Sequence, residues 1–162
     1  MIKMLNPFDT AFICSHVTTD PANETSKFYI GTASNHQRNS IQIVEYDDYE
    51  NVVTRDEIKP AFTATNQAAI SKPIWQLAHL ETILTTIQNS KLQLYNTDDK
   101  TLLAELDQVP APLYCNISSS STSDFTLNVL SAEAISLVDV ETLTTSQTIK
   151  LQSTEGNHMS RT

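Results

Sequence analysis

Cys14 and His16 stand two residues apart within Ala11 to Val17, a stretch rich in β-branched and aromatic residues. An extended chain places both on one face. A thiol beside an imidazole is the minimum of a cysteine nucleophile with its base, or the first half of a zinc site. The plainer reading is packing, because Phe12, Ile13 and Val17 surround Cys14 and no second Cys or His follows closely. Glu45, Asp47, Asp48 and Glu50, with Asp56 and Glu57 beyond, offer oxygens for Ca²⁺ or Mg²⁺. They lack the alternating spacing and central Gly of a calcium loop, so a solvated acidic loop is expected. Trp75 and His79 fall one helical turn apart, off the main apolar arc of their segment, and are the candidate partner-contact residues. Their plainer reading is an aromatic edge of the core. No Ser–His–Asp grouping stands out among the four histidines. No catalytic residue, metal site or cofactor is expected.

Glycine sharpens the exclusions. Only Gly31 and Gly156 are present in 162 residues. Neither a dinucleotide fingerprint, a P-loop nor a Gly-flanked nucleophile elbow can be written from them. The net charge is −9, and between Lys100 and Lys150 there are six carboxylates and no basic side chain. A field of that sign repels phosphates, so nucleic acid is not an expected partner. No stretch reaches the roughly 18 apolar residues that read as a membrane span. The start, Met1 to Pro7, lacks a secretion h-region, which predicts synthesis in the cytoplasm without a signal peptide. Cys14 and Cys115 are then expected as reduced thiols, with a bridge between them as the alternative.

The elements that must position these residues follow from periodicity. Strands are expected over Ala11 to Val17, Lys27 to Ile30 and Ser40 to Tyr46, with a turn-rich loop at Thr18 to Asn23 and a hairpin loop at Ser34 to Asn39. Val52 to Ile58 reads as a strand or a short helix. Between Pro73 and Ser90, Leu77, Leu80, Ile83, Leu84 and Ile87 fall on one arc at helical spacing. Ser71 is placed to cap that segment and Asn89-Ser90 to end it, predicting an amphipathic helix near 72–90. Beyond it, Lys91 to Asn96 and Thr101 to Asp107 flank a four-residue turn. Further strands are expected at Leu113 to Ile117, Phe125 to Val129, Ile135 to Val140 and Thr148 to Leu151.

The expected fold is therefore α+β, mainly antiparallel β in a sandwich- or barrel-like sheet with one principal helix near 72–90. It forms a single domain over 1–162, with polar terminal arms at 1–9 and 153–162 and no internal repeat. With the common enzyme signatures missing, the expected function is a non-enzymatic structural or adaptor subunit of a large assembly. A virus or phage particle is the most natural setting, whether as capsid decoration, a head–tail joint or a tail part, and other protein subunits are the partners. Outward β surfaces of Thr, Ser, Asn and Gln suit strand addition or lateral packing. The alternative is a free cytosolic acidic protein, an inhibitor or immunity type, that masks a basic partner. A third reading is a small enzyme using Cys14, His16 or His79.

Overall fold

The computed structural model describes residues 11–22, 24–33, 39–47, 51–60, 72–121 and 124–151, with backbone only at 11–18 and 53. The terminal arms at 1–9 and 153–162 lie outside the described residues, as do most of the loop at 34–39 and the segment 61–71. Every regular element among the described residues is a strand. The first four are β1 (Ala11–Asp20), β2 (Thr25–Ala33), β3 (Ile41–Asp47) and β4 (Val52–Ile58). The next four are β5 (Ile74–Leu80), β6 (Ile83–Gln88), β7 (Lys91–Asn96) and β8 (Leu102–Leu106). The last four are β9 (Tyr114–Ser119), β10 (Phe125–Leu130), β11 (Ala134–Asp139) and β12 (Thr144–Lys150). They form three separate four-stranded sheets, each an antiparallel meander in chain order. The expected α+β fold on a single sandwich- or barrel-like sheet is corrected to an all-β architecture with a threefold structural repeat among the described residues. The repeat left no sequence signal because the three sheets share topology and not residues.

The helix expected near 72–90 is instead the β5–β6 hairpin. Six β-branched residues (Ile74, Thr82, Ile83, Thr85, Thr86 and Ile87) occupy this stretch, and such side chains fit a pleated surface better than a helix. Both hairpin turns are two residues long. Glu81 has φ of 53° at the first position of the β5–β6 turn, the signature of type II′. Asn89 and Ser90 both have positive φ, 50° and 59°, which makes the β6–β7 turn type I′. The residues read as a helix end are thus a hairpin tip. Folding the segment in half also divides its apolar arc. Leu77 and Leu84 enter the core against the first sheet, whereas Leu80, Ile83 and Ile87 face the third.

The sheets stack face to face with β5–β8 in the middle. All six residues of β6 are buried, Thr85, Thr86 and Gln88 at 0% exposure, because this strand has neighbours on both sides and sheets on both faces. The first core joins Tyr29, Ile41, Ile43 and Ile58 to Ile74, Leu77, Leu84 and Tyr95. The second joins Ile83, Ile87, Leu92, Leu94 and Leu106 to Cys115, Ile117, Leu127, Val129 and Val138. Close backbone approach between sheets runs through the leading strands: β1 and β2 meet β5, and β5 and β6 meet β9. The sheets therefore converge on their first strands and open toward their fourth, the wedge arrangement of successive propeller blades.

Polar side chains lock each seam. At the first, the Lys72 carbonyl accepts from Asn39 Nδ2 at 3.1 Å and from Gln88 Nε2 at 2.6 Å. At the second, the Gln76 amide acts as a short length of strand. Its Nε2 donates to the Cys115 carbonyl at 2.7 Å, and its Oε1 accepts from the Cys115 N–H at 3.1 Å. The Cys115 Sγ–H also reaches Gln76 Oε1, at 3.0 Å, and the Sγ lies 3.0 Å from Thr85 Oγ1.

Candidate functional site: a cleft between blades and an open sheet face

A cleft of about 290 Å³ opens between the first two sheets, where the β1–β2 turn, the β5–β6 turn and the β7–β8 loop meet. Alternation along β2 turns Lys27 and Tyr29 toward the second sheet, and Glu45 of β3 is the register partner of Lys27. Tyr29 is buried and stacks on His79 of β5, with ring centroids 4.3 Å apart and planes at 25°. Thr19, Asp20, Thr25, Glu81, Thr97 and Asp98 complete the rim. Glu45 accepts from Thr25 Oγ1 at 2.9 Å and Thr54 Oγ1 at 3.0 Å, which holds its carboxylate in place. Asp98 is positioned by its own N–H, which donates to Asn96 Oδ1 at 2.8 Å and closes the loop. The lining thus sets four carboxylates (Asp20, Glu45, Glu81 and Asp98) against one cation, Lys27. Burial pushes the Tyr29 hydroxyl above its ordinary pKa; a hydrogen bond with Thr97 opposes this, and the charges of Asp98 and Glu45 add to it. The cleft interior is therefore at negative potential.

Of the two candidate partner-contact residues, the structure places His79 in this cleft and Trp75 elsewhere. Trp75 is the extra residue of a bulge, where the β5–β6 register passes from Ile74–Gln88 to Gln76–Ile87, and it is 60% exposed. Cys14 and His16 occupy β1 opposite Gly31 and Tyr29; their side chains lie outside the described ones. Cys115 is a free buried thiol, so a bridge to Cys14 is not formed. Burial raises its pKa to about 11, with the Thr85 hydrogen bond acting the other way, which makes it a poor nucleophile. Of the acidic stretch, Asp48 and Glu50 lie outside the described residues, and the described members are dispersed. Asp47 accepts from the Asn51 N–H at 2.8 Å and closes its own loop, Asp56 pairs with Lys100, and Glu57 lies 3.6 Å from Lys59. No group of three or more His, Cys, Asp or Glu suited to a metal occurs among the described residues.

The residues missed in the sequence are Tyr29, Glu81, Asp98 and Lys27. The turn chemistry of Thr97 to Lys100 was readable, but nothing local tells that it meets the tip of another hairpin in a second sheet.

The third sheet presents the other feature. Its register aligns Tyr114, Leu130, Ile135 and Ile149 in one row across all four strands. Residues opposite one another share a face, and this is the face turned away from the second core. Tyr114, Leu130 and Ile149 are 53%, 37% and 47% exposed. The next two rows are Asn116–Asn128–Leu137–Gln147 and Ser118–Thr126–Asp139–Thr144, so Asp139 is the one ionisable group over these rows. The outer strand β12 is exposed along its whole length. No helix among the described residues is long and apolar enough to cross a membrane.

No family model and no curated protein sequence matches the chain. Among solved structures it is similar to a protein of unknown function from Bacteroides caccae, with a TM-score of 0.52 and 11% identity. That match covers 88% of this chain and 48% of the other. It is also similar to the WD40 domain of Neurospora crassa Pan2, with a TM-score of 0.48 and 11% identity over 92% of this chain and 47% of that one. At such identity the Bacteroides caccae likeness speaks of fold alone, and this chain spans about half the length of the solved chains it matches.

Proposed function

We propose that this chain is a non-enzymatic subunit of a protein assembly, and that a second copy of the chain seats on the open face of the third sheet. The observation that carries this reading is the row Tyr114–Leu130–Ile135–Ile149, an apolar strip left uncovered on one sheet of a stack whose middle sheet is covered on both faces. A second copy fits because the face is self-complementary in chemistry: it is apolar and uncharged-polar, with Asp139 the one carboxylate over its three rows, so the repulsion between two chains of −9 each is least there. The virus or phage particle expected from the sequence rests on elimination; detection of the chain by mass spectrometry in purified particles tests that setting.

Size-exclusion chromatography with light scattering tests the dimer. Wild type at tens of micromolar is expected at twice the chain mass of 18.0 kDa, and the double variant Leu130→Lys, Ile149→Lys at the single mass. Trp75→Lys, an exposed apolar residue outside this face, should leave the dimer intact. A wild-type monomer at every concentration would contradict the proposal.

A further inference from the structure

We infer that the second copy seats head to tail, with the outward face of its first sheet on the open face of the third. The inference rests on the dimer proposed above and names the surface that the partner copy offers. Each sheet carries a bulge at the same place, between its third and fourth strands, at Glu45/Tyr46, Leu94/Tyr95 and Leu137/Val138. The shared bulge fixes which positions correspond across the repeat. Ile43, Leu92 and Ile135 form one such set, and Tyr46, Tyr95 and Val138 form another. Ile43 enters the first core and Leu92 the second, so their position faces the following sheet. Ile135 is the third member, and no sheet follows it among the described residues. Tyr95 enters the first core and Val138 the second, so their position faces the preceding sheet. Tyr46 is the remaining member, and among the described residues no sheet precedes it. The two end faces of the stack are therefore the two halves of a seam that the chain already makes twice.

The residues of the first sheet suit that contact. Alternation turns Phe28, Val44 and Tyr46 away from the second sheet. Around the buried Val44, Phe28 and Tyr46 are half-buried, their rings edge to face with centroids 5.6 Å apart. Val52, the register partner of Tyr46, is 39% exposed. Charge matches as well. Arg55, the register partner of Val44, lies on this face and in none of the salt bridges of the described residues. Glu57 on the same face is paired with Lys59. The first face thus offers a cation to the face whose carboxylate is Asp139. Third face on third face would instead bring two Asp139 carboxylates to one interface and repeat no seam of the fold. Heterologous contacts close into a ring or run on as a filament. A dimer is the ring, with both seams formed and six sheets in all.

The test compares first-face and third-face variants by size-exclusion chromatography with light scattering and by native mass spectrometry. Val52→Lys puts a charge into the proposed seam and is expected to weaken the dimer about tenfold or more, as Leu130→Lys, Ile149→Lys does. Mixed in equal amounts, the two variants should form a heterodimer through their one undamaged seam, at concentrations where each alone is a monomer. Wild type supplies a readout that needs no variant. Hydroxyl-radical labelling of Phe28, Tyr46 and Val52 should fall with concentration alongside that of Leu130 and Ile149. A Val52→Lys dimer as tight as wild type, no heterodimer in the mixture, or labelling that falls on the third sheet alone would overturn the seating and leave the dimer itself standing. A wild-type monomer at every concentration would overturn both.

Discussion

Cys115 illustrates how a residue with reactive chemistry becomes structural. Its thiol, amide and carbonyl all bond to the Gln76 amide across the seam between the second and third sheets. Removing that amide leaves a buried donor and acceptor unmatched, each costing about 1–3 kcal/mol. Gln76→Ala is therefore expected to lower unfolding free energy by about 2–4 kcal/mol in urea melts, whereas Gln108→Ala, on an exposed loop, should change it little. The thiol also predicts a pH dependence. Above pH 9 the unfolded chain releases the Cys115 proton while the folded chain, with its pKa raised from 9.0 to about 11, retains it. The unfolded state then binds fewer protons, so stability falls as pH rises and levels off once the folded thiol ionises. The loss is on the order of 2–3 kcal/mol. Urea melts at pH 8 and pH 10.5 should show this slope in wild type and lose most of it in Cys115→Ala, with the smaller remainder due to Tyr29 and Lys91, both raised in the folded state. Trp75 belongs at this scale too. As the single tryptophan, exposed on a bulge, it should emit like free tryptophan and be quenched readily by iodide; a blue-shifted, protected emission would contradict its placement.

At the scale of elements, strand content was legible wherever one face is wet. Phe125, Leu127 and Val129 alternate with polar residues, and β10 forms there with β9 and β11 beside it. The stretch 74–88 misled because alternation disappears when both faces are buried. β6 reads Ile-Leu-Thr-Thr-Ile-Gln, and its hydroxyls and amide are buried for reasons that lie in neighbouring sheets. Turn signals misled for a related reason. With glycine nearly absent, Glu24, Glu81, Asn89, Ser90, Lys100, Ala111 and Leu143 take the left-handed backbone that glycine would ordinarily occupy. Non-glycine residues carry a cost of about 1 kcal/mol there. Ser90→Gly, which completes an Asn-Gly type I′ turn, and Leu143→Gly are each expected to raise stability by about 0.5–1 kcal/mol in thermal or urea melts.

For the molecule as a whole, three stacked sheets explain both the sealed centre and the unsealed flank. The middle sheet buries Leu84, Leu92 and Leu94 fully, and the third leaves Tyr114, Leu130 and Ile149 facing outward. None of this was readable from composition: the apolar fraction said that a core exists and not that it is divided into two seams. The candidate site was half legible. His79 was singled out for an aromatic edge, and it does stack on Tyr29, but of the carboxylates around it only Glu81 is near in sequence, whereas Asp98, Glu45 and Asp20 come from other elements. Hydroxyl-radical footprinting read by mass spectrometry, at sub-micromolar and at high micromolar concentration, probes sealed centre and open flank in one measurement. Leu84, Leu92 and Leu94 should stay unmodified at both concentrations, while Tyr114, Leu130 and Ile149 should be oxidised in dilute solution and become protected as concentration rises. Oxidation of these three that does not change with concentration, or labelling of the middle sheet in the native protein, would contradict the account.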